Sequence, residues 1–463
     1  MDFAFLPVVE LGRLLRQKKA SATELATYFL DRLERIGPRF NAVATVTRAR
    51  ALAEATQADR EIGQGKWRGP LHGIPYGVKD LLATKDYPTT WGAEPYRQQK
   101  FDADATVIER LGAAGAVLVA KLAMVELAGG MGYTQANASF TGPGKTPWNP
   151  AYWSGGSSSG PGAAVAAGLV PFAIGSETSG SILTPAAYCG VTGLRPTYGL
   201  VSRHGAMALA WTMDKLGPLG RSAEDCGIVL EVIAGKDPKD ASSVNRGFRM
   251  TTQSGSKFRI GVPKGADKDI QAEVAANFRA ALKVLGDKLE VIEDVELPDL
   301  PYGAVAGLII AAEGASAFDD LLKDGRLSQL TAPEDRTGGY PALAVSAPDY
   351  LRALRVRRPM QRALDDFLKK FDALAVPTRT TVATPLDKPF RDGWPGVTGG
   401  ANVIGPTNVV GVPGVSVPNG FGVQGLPTGL SFTARAFDEG KLVSLARLYQ
   451  SRTDWHTRRP PLD

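Results

Sequence analysis

The chain has 463 residues, of which 44% are hydrophobic and 22% are charged, a composition typical of a globular protein with enough apolar material for a large core. Its net charge of +6 is mild for this length and no nucleic-acid-binding motif accompanies it, so the sequence predicts no nucleic-acid partner. No segment approaches the roughly 20 consecutive apolar residues that a membrane-spanning helix needs, so no membrane association is expected.

The N-terminal region predicts several short elements in succession. Apolar residues at helical spacing predict helices over 8–18 and 21–37, and Ser21 with Glu24 forms the pattern of a capping box at the start of the second helix. A short strand and an alanine-rich helix are predicted within 41–60. The next predicted elements are a short strand that ends at Lys79, a helix over 105–111 and a buried strand over 116–121.

The middle of the chain predicts a small-residue helix over 162–168, an apolar strand over 169–174 and a turn-rich stretch that reaches Pro218. Ser222 is expected to cap a helix over 226–233. A polar connection at 235–258 then leads to a βαβ-like unit, which consists of a strand from 258, a helix over 270–285 and a strand over 288–297. The remaining predicted elements are a helical region over 302–371, a buried strand over 371–378 and a last helix over 439–452.

Redox context and targeting are predicted from two further features. Cys189 and Cys226 lie in apolar or helical contexts, without the spacing of a metal site or of a disulfide framework. The N-terminus has an acidic second residue, Asp2, and no uninterrupted apolar segment, so we expect no signal peptide. Together these features predict a reducing, cytoplasmic location.

The stretch at 153–185 is the most informative, because two loops rich in glycine and serine enclose the small-residue helix and the strand after it. Such loops let backbone N–H groups approach a ligand closely, which suits a phosphate or the oxyanion of an acyl-transfer reaction. A phosphate loop would need a lysine after the glycines, or a glycine pattern straight after a strand, and neither is present. Acyl transfer needs a serine, hydrogen-bond donors and a base.

The candidate base is a lysine. The three histidines, His72, His204 and His456, lie in no clear catalytic context. Lys79 follows a glycine–proline turn and a short apolar strand in the segment GIPYGVKD, which is a suitable way to mount a buried ammonium at a strand end. A desolvated lysine can be neutral near pH 7 and can then accept a proton.

Three groups of motifs, in order along the chain, resemble the amidase signature family of serine hydrolases. They are GIPYGVKD at 73–80, the segment GGSSSGPGAAVAAGLVPFAIGSETSGSILTPAAYCGVTGLRPTYGLVS at 155–202, and GPTNVVGVPGVSVPNG with GLPTGL within 405–430. The resemblance covers nearly the full chain. It implies an α/β fold with a large mixed central β-sheet that is covered by helices on both faces.

The same resemblance implies a single domain over 1–463. Its parts would be N-terminal helices at about 8–60, a catalytic core at about 70–235 and a C-terminal α/β part with substrate-facing helices at about 258–463. The family carries a Ser-cisSer-Lys triad, in which Lys79 matches the base, Ser157 the bridging serine after a cis peptide bond, and Ser181 the nucleophile. The oxyanion hole would consist of backbone N–H groups of Ser181 and of Thr178, Ser179 and Gly180.

Substrate contacts are implied less directly. The glycine-rich loop before the nucleophile lines the acyl pocket in the family, so Gly130 and Met131 are predicted to bind substrate, with ordinary core packing as the alternative for Met131. Residues 302–371 carry no family motif, so we expect substrate preference to reside there. The sequence departs from the commonest family pattern at four positions, none of them in the triad: Ser159, Ser179, Leu183 and Ser431.

Other polar residues of the core are predicted to support the fold. Ser158 and Ser159 are expected to cap the helix that follows them, and Asp214 to brace a loop.

The predicted function is hydrolysis of the C–N bond of a small-molecule amide through an acyl-enzyme on Ser181, with esters or carbamates as further substrates. No cofactor and no metal are expected, and the protein is predicted to be a monomer or a homodimer. A first alternative is the glutamine-hydrolysing A subunit of a tRNA-dependent amidotransferase. That protein's Val-Lys-Arg-Arg-Ile motif has no counterpart here, and Ala401 occupies the position of its substrate-binding aspartate. A second alternative, from another class, is a non-catalytic receptor, which would lose triad residues that are all present here.

Overall fold

The computed structural model describes residues 1–250, 257–401 and 403–462, so residues 251–256 of the predicted polar connection lie outside the described residues. Within the described chain, eleven strands belong to one sheet. They are β1 (Val43–Val46), β2 (Pro75–Lys79), β3 (Val117–Leu122), β4 (Phe172–Glu177), β5 (Thr192–Arg195), β6 (Lys215–Gly220), β7 (Phe258–Pro263), β8 (Leu289–Val295), β9 (Ala373–Pro377), β10 (Gly414–Phe421) and β11 (Pro427–Thr433).

Fourteen α-helices occur in the same described part of the chain, and several of them pack on the sheet. They are α1 (Val8–Arg16), α2 (Ala22–Ile36), α3 (Arg48–Gly63), α4 (Thr106–Ala113), α5 (Ser159–Ala166), α6 (Leu183–Cys189), α7 (Ala223–Ile233), α8 (Ala272–Leu285), α9 (Tyr302–Ala317), α10 (Asp319–Lys323), α11 (Asp335–Gly338), α12 (Ala347–Leu368), α13 (Ile404–Val410) and α14 (Glu439–Gln450).

The sheet is mixed. Its strand order is β1-β3-β2-β4-β6-β5-β10-β11-β9-β7-β8. The pairs β2/β3, β2/β4, β7/β8 and β7/β9 are parallel, and the other pairs are antiparallel. The predicted βαβ unit is confirmed, because α8 connects the parallel strands β7 and β8.

Burial along the strands shows how the sheet is covered. Every residue of β2, β3, β4, β5, β6, β9 and β11 is buried, and successive side chains of a strand point to opposite faces. Both faces of the central sheet are therefore covered, as the sequence predicts. The edge strand β8 is mostly exposed. No helix in the described ranges is long and apolar enough to cross a membrane.

Two helix starts are confirmed in atomic detail. Ser21 Oγ accepts a hydrogen bond from the Glu24 backbone N–H at 3.0 Å, and the Glu24 carboxylate accepts one from the Ser21 N–H at 2.7 Å. Ser222 and Asp225 form the same reciprocal arrangement at the start of α7. A serine cap of this kind is worth about 1 kcal/mol, so both helices have a defined first residue.

Strand β6 differs from the prediction, which placed a turn-rich stretch up to Pro218. The segment is instead an internal strand between β4 and β5. Its glycines and proline argue for a turn by local propensity. The tertiary context overrides that propensity, because a side chain at Gly217 would collide with the backbone carbonyl of Leu194 on the neighbouring strand. Strand β4 also starts three residues later than predicted, at Phe172.

The sheet brings two predicted functional segments together. Strands β2 and β4 are parallel neighbours, with Gly77 opposite Ala173 and Val78 opposite Ile174. Their carboxyl ends therefore lie at the same edge of the sheet. Lys79 ends β2 and Glu177 ends β4, so the base and the loop that carries the predicted nucleophile start from adjacent positions.

Candidate active site

Lys79 is fully buried at the end of β2. Its Nζ donates hydrogen bonds to Ser157 Oγ at 2.7 Å and to Ser176 Oγ at 2.8 Å. Burial lowers the pKa of Lys79 to about 7, although the charges of Asp214 and Glu177 act in the opposite direction. The lysine is therefore poised to exchange a proton near neutral pH, in line with the prediction of a depressed pKa.

Ser157 lies between the lysine and the loop that contains Ser181. The Gly156–Ser157 peptide bond is cis, as the family resemblance implies. The next residue, Ser158, donates its backbone N–H to the carbonyl oxygen of Ser181 at 3.3 Å, so the two serine loops touch. The side chain of Ser157 is buried with Lys79 as its partner.

The predicted capping role of Ser158 and Ser159 is wrong. Ser158 occupies the N-cap position of α5, but no side-chain hydrogen bond caps that helix. Its hydroxyl instead donates to the Ser176 carbonyl at 3.1 Å and accepts from the Ser176 N–H at 3.3 Å. Ser159 is the first residue of α5, with its hydroxyl 3.5 Å from the Ala123 carbonyl. These serines fasten the loop to β4 and to the segment after β3, because backbone groups there need partners.

Ser181 lies in the loop between β4 and α6 and is 7% exposed. Its hydroxyl has no hydrogen-bond partner among the described residues, and no hydrogen bond joins it to Ser157. The backbone N–H groups of the predicted oxyanion hole likewise donate to no acceptor in the described chain; they belong to Thr178, Ser179, Gly180 and Ser181. These amide donors are therefore available to the oxyanion of an acyl-transfer intermediate, and their role as the oxyanion hole stays a prediction.

Gly180 sets the shape of this loop. Its φ of +96° lies in the left-handed region that disfavours residues with a side chain. A Cβ there would also lie 3.3 Å from both Ile404 Cγ2 and Thr184 Oγ1. The Thr184 N–H donates to the Gly180 carbonyl at 2.8 Å, which closes the loop onto the start of α6.

A network of buried charged groups holds the loop between β4 and α6 in place. Glu177 pairs with Arg195 at 2.9 Å, and both side chains are fully buried. The second Glu177 oxygen accepts the N–H groups of Ile182 and Leu183 at 2.8 and 3.0 Å, which fixes the first turn of α6. Asn408 donates its amide to Glu177 at 2.8 Å.

The charges in this network shift one another's pKa values. Burial acts to raise the pKa of Glu177, but Arg195 and Lys215 hold it below its usual value. Burial lowers the pKa of Lys215 well below the ordinary value of a lysine, and the Arg195 charge adds to the effect. Lys215 Nζ donates to Asn408 Oδ1 at 2.7 Å. Glu177 is therefore the anion around which the other groups are arranged.

Asp214 braces the loop, as predicted. Its carboxylate accepts a hydrogen bond from Thr178 Oγ1 at 2.5 Å, and the N–H groups of Leu209 and Ala210 at 2.9 and 3.0 Å. Burial raises its pKa. The contact ties the first residue of the predicted oxyanion hole to the segment before β6.

A cavity of about 320 Å³ opens beside the two serine loops, and we call it the Arg379 pocket. Gly156, Ser179 and Thr184 of the serine loops and the start of α6 line it, together with Tyr133, Trp153 and Arg379. Arg379 is the second residue after the end of β9; it is exposed and lines the cavity. The phenol of Tyr188 beside it raises the pKa of Arg379.

Gly130 and Met131 lie away from this pocket. Met131 is buried and packs against the loop at Gly339. A Cβ on Gly130 would lie 2.7 Å from Leu209, a residue that lines a second cavity of about 240 Å³ on the Ser176 and Thr178 side of the catalytic loop. Contact of Gly130 and Met131 with substrate stays a prediction. In the described chain, no group of three or more His, Cys, Asp or Glu side chains is arranged to hold a metal ion.

The match to a known family spans most of the chain. The model of the family described as Amidase matches residues 24–443. The chain belongs to the Amidase family.

Two curated relatives of this amidase carry the same name. The A subunit of the glutamyl-tRNA(Gln) amidotransferase of Moorella thermoacetica is 38% identical over 491 aligned positions, which cover 100% of this chain and 99% of the relative. The same protein of Thermosynechococcus vestitus is 37% identical, with 98% and 99% coverage.

Solved structures similar to this amidase include other kinds of protein. The native peptide amidase of Stenotrophomonas maltophilia has a TM-score of 0.88 and 30% identity, with 100% of this chain and 99% of that chain covered. A structure described as a vestigial protein complex that reveals the evolutionary origins of an s-triazine catabolic enzyme also has a TM-score of 0.88, at 29% identity and coverage of 99% and 100%. The predicted fold is confirmed by these neighbours.

Sequence reasoning missed several residues of the amidase site. Ser176 was not singled out, although it is the second partner of Lys79. Glu177, Arg195 and Asn408 lie within the quoted motifs, which was the available signal, but their mutual contacts join positions up to 231 residues apart. Arg379 lies outside every motif. Residues 302–371, where substrate preference was expected, do not line the Arg379 pocket.

Proposed function

We propose that this amidase hydrolyses the C–N bond of carboxylic amides through an acyl-enzyme on Ser181, with Ser157 as proton relay and Lys79 as base. The observation that carries the proposal is the buried Lys79, with a pKa of about 7 and a hydrogen bond to Ser157. A neutral amine at this position can accept a proton at physiological pH.

In the first half of the reaction, Ser181 Oγ attacks the carbonyl carbon of the amide. Its proton passes to Ser157 Oγ while the proton of Ser157 passes to Lys79 Nζ, so Ser157 is unchanged at the end of the step. The negative charge that develops on the substrate oxygen is stabilised by the unused N–H groups of residues 178–181. One such donor contributes about 3–4 kcal/mol to the transition state.

In the second half, Lys79 returns its proton through Ser157 to the leaving nitrogen, and the C–N bond breaks. Water then attacks the acyl group on Ser181, and one of its protons passes through Ser157 to Lys79. The bond between the acyl carbon and Ser181 Oγ breaks, the acid is released, and the relay returns the proton from Lys79 to Ser181 Oγ. The ammonium form of Lys79 is stabilised during each step by the hydroxyls of Ser157 and Ser176, which accept its hydrogen bonds, and by the charges of Asp214 and Glu177.

A fluorophosphonate that labels activated serines tests the proposal. The parent protein and the Ser159→Ala control are expected to be labelled at Ser181, while Ser181→Ala and Lys79→Ala are expected to show little labelling. Ammonia release from simple amides should follow the same pattern. Labelling of Ser181→Ala at the parental rate, or full amidase activity of Lys79→Ala, would contradict the mechanism. An unlabelled parent with no activity would favour the receptor alternative.

A second candidate function is the glutamine-hydrolysing component of a tRNA-dependent amidotransferase, which works with partner proteins. The names of the curated relatives favour it. The absence of the Val-Lys-Arg-Arg-Ile motif and the presence of Ala401 argue against it. Hydrolysis of L-glutamine and of simple amides by the isolated chain separates the two candidates: activity on simple amides without glutaminase activity supports the stand-alone amidase.

A further inference from the structure

Three polar groups that line the Arg379 pocket are the exposed Arg379 guanidinium and two buried donors, Tyr133 Oη and Trp153 Nε1. The Arg379 guanidinium forms no ion pair with a carboxylate of the described chain, and the phenol of Tyr188 is the group that influences it most. Tyr133 Oη and Trp153 Nε1 are buried and have no hydrogen-bond partner. Buried donors are nearly always paired in folded proteins, so two unpaired donors beside a guanidinium without a counter-ion call for an explanation.

The three groups share one chemical preference. Arginine and the indole of tryptophan only donate hydrogen bonds, and a tyrosine hydroxyl can donate as well. Burial raises the pKa of Tyr133 well above its usual value, so its hydroxyl keeps its proton at any pH of interest. A wall that offers a guanidinium, a phenol and an indole N–H suits an acceptor with negative charge, and a planar carboxylate matches the guanidinium in two parallel hydrogen bonds.

The surroundings of these groups hold them in place. The Tyr133 ring packs edge-on against Trp153 and Phe390, with centroid distances of 5.9 and 5.5 Å. A Cβ on Gly156 would collide with Tyr133 Oη, so the hydroxyl reaches the residue directly before Ser157. The donor wall and the serine loops therefore bound the same cavity, close enough for one small molecule to contact both.

We propose that the Arg379 pocket is a carboxylate subsite, and that the substrates of this amidase are amides that bear a free carboxylate, which Arg379 binds while Ser181 attacks the amide carbon. This proposal rests on the proposed function for its catalytic part. Arg379 is a specificity-determining residue in this scheme: it binds the unreactive end of the substrate, and its charge makes no contact with the Lys79 relay in the described chain.

The test compares acidic amides with neutral molecules of the same shape. Malonamate, succinamate and glutaramate are paired with 3-methylbutanamide, 4-methylpentanamide and 5-methylhexanamide, in which an isopropyl group replaces the carboxylate. For at least one pair, the parent should prefer the acidic amide by about 10- to 100-fold in kcat/KM, the range of a charge-assisted hydrogen bond that replaces solvation by water. Arg379→Gln should lose that preference, mainly through KM, and Arg379→Lys should recover part of it.

Arg358→Gln serves as the matched control, because Arg358 is an exposed arginine of α12 and does not line the pocket. It should retain the parental preference. Equal rates for every acidic and neutral pair in the parent, or an equal loss on both members of a pair in Arg379→Gln, would overturn the carboxylate subsite while leaving the amidase proposal intact.

A binding measurement separates failure of the subsite from failure of the chemistry. Titration calorimetry of succinate into the full chain is expected to show binding that Arg379→Gln weakens by about 10-fold or more and that Ser181→Ala retains. If fluorophosphonate labelling and all hydrolysis fail but succinate binds in this Arg379-dependent way, the proposed function is wrong and the subsite stands. Succinate affinity that is equal in the parent and in Arg379→Gln refutes the subsite.

Discussion

The charged groups of the catalytic centre and the charged group of the Arg379 pocket are paired in opposite ways, although the two regions adjoin each other. Around Lys79 and Glu177, each charged group has protein partners: the ammonium has two hydroxyls and the carboxylate has an arginine, an amide and two backbone N–H groups. In the Arg379 pocket, the guanidinium has no carboxylate partner in the described chain, and a phenol and an indole have no hydrogen-bond partner there.

The two regions have different tasks. The catalytic centre acts on the C–N bond that all amides share, and the Arg379 pocket contacts the part of the substrate that differs from one amide to another. Groups that act on the reacting bond must be held before substrate arrives, since reorganising them during the reaction would raise the barrier. Groups that select the substrate gain specificity when the right ligand satisfies them and the wrong ligand leaves them unpaired. Substitutions can therefore remove catalysis without changing the substrate preference, or change the substrate preference without removing catalysis.

The largest effect is expected at the nucleophile and the base. Ser181→Ala removes the attacking oxygen, and Lys79→Met removes the proton acceptor while keeping much of the volume. Each change should lower kcat by on the order of 10⁴-fold or more, because residues that act as a unit fail together. The double variant should be little worse than either single variant. Additive losses in the double variant would show that the two residues do not work as one unit.

A large effect on stability is expected from the buried ion pair of Glu177 with Arg195. Glu177→Gln leaves Arg195 buried without its carboxylate, and losing one member of such a pair costs about 3–5 kcal/mol in the free energy of unfolding. Urea denaturation measures it. Asp365→Asn is the control, since its pair with Arg435 is partly exposed and should contribute less than about 1 kcal/mol. Similar losses in both variants would contradict a special role for the buried network.

An intermediate effect is expected on the pH dependence. Because burial lowers the pKa of Lys79 to about 7, kcat/KM should rise as the pH increases through about 7 and should level off above it, where the lysine is neutral. Ser176→Ala removes a hydroxyl that accepts a hydrogen bond from the ammonium, so it should move this rise to lower pH. Ser159→Ala should leave the profile in place. A profile that stays unchanged in Ser176→Ala contradicts this account of the lysine.

The same lysine affects stability with a definite sign. Its pKa in the folded protein lies below the ordinary value of 10.5, so the unfolded chain binds more protons between about pH 7 and pH 10.5. The contribution of Lys79 to the free energy of unfolding should therefore increase with pH across that window. Subtracting the pH dependence of Lys79→Met from that of the parent isolates this contribution, and a contribution that does not change with pH would show that the lysine stays charged in the folded protein.

The smallest effect on stability is expected in the Arg379 pocket. Tyr133→Phe removes a hydroxyl that has no protein partner, so the free energy of unfolding should change by less than about 1 kcal/mol, and an increase is as acceptable as no change. On a carboxylated amide, however, KM should rise about 3- to 10-fold, since a donor is lost. A large loss of stability would mean that the Tyr133 hydroxyl forms an interaction that stabilises the folded protein.

Much of the catalytic centre could be predicted from the sequence, because Lys79, Ser157 and Ser181 lie in contiguous motifs with recognisable chemistry. The surrounding residues could not. The pairing of Glu177 with Asn408 and the position of β6 depend on strand neighbours that are distant in the chain. Arg379 lies in the segment PTRTT after a buried strand, where an arginine is typical of a solvated loop. Only the folded chain shows that it lines a cavity.

Because of the order of strands in the sheet, the reactivity of Ser181 depends on the assembly of the sheet during folding. Lys79 and Ser157 are 78 residues apart in the chain, and β2 must lie beside β4 before the lysine can reach the serine loops. A chain that has collapsed or formed its helices, but has not aligned these two strands, lacks an activated serine. During refolding from denaturant, the growth of covalent labelling at Ser181 should therefore lag behind the recovery of helical circular dichroism and should track the assembly of the central sheet.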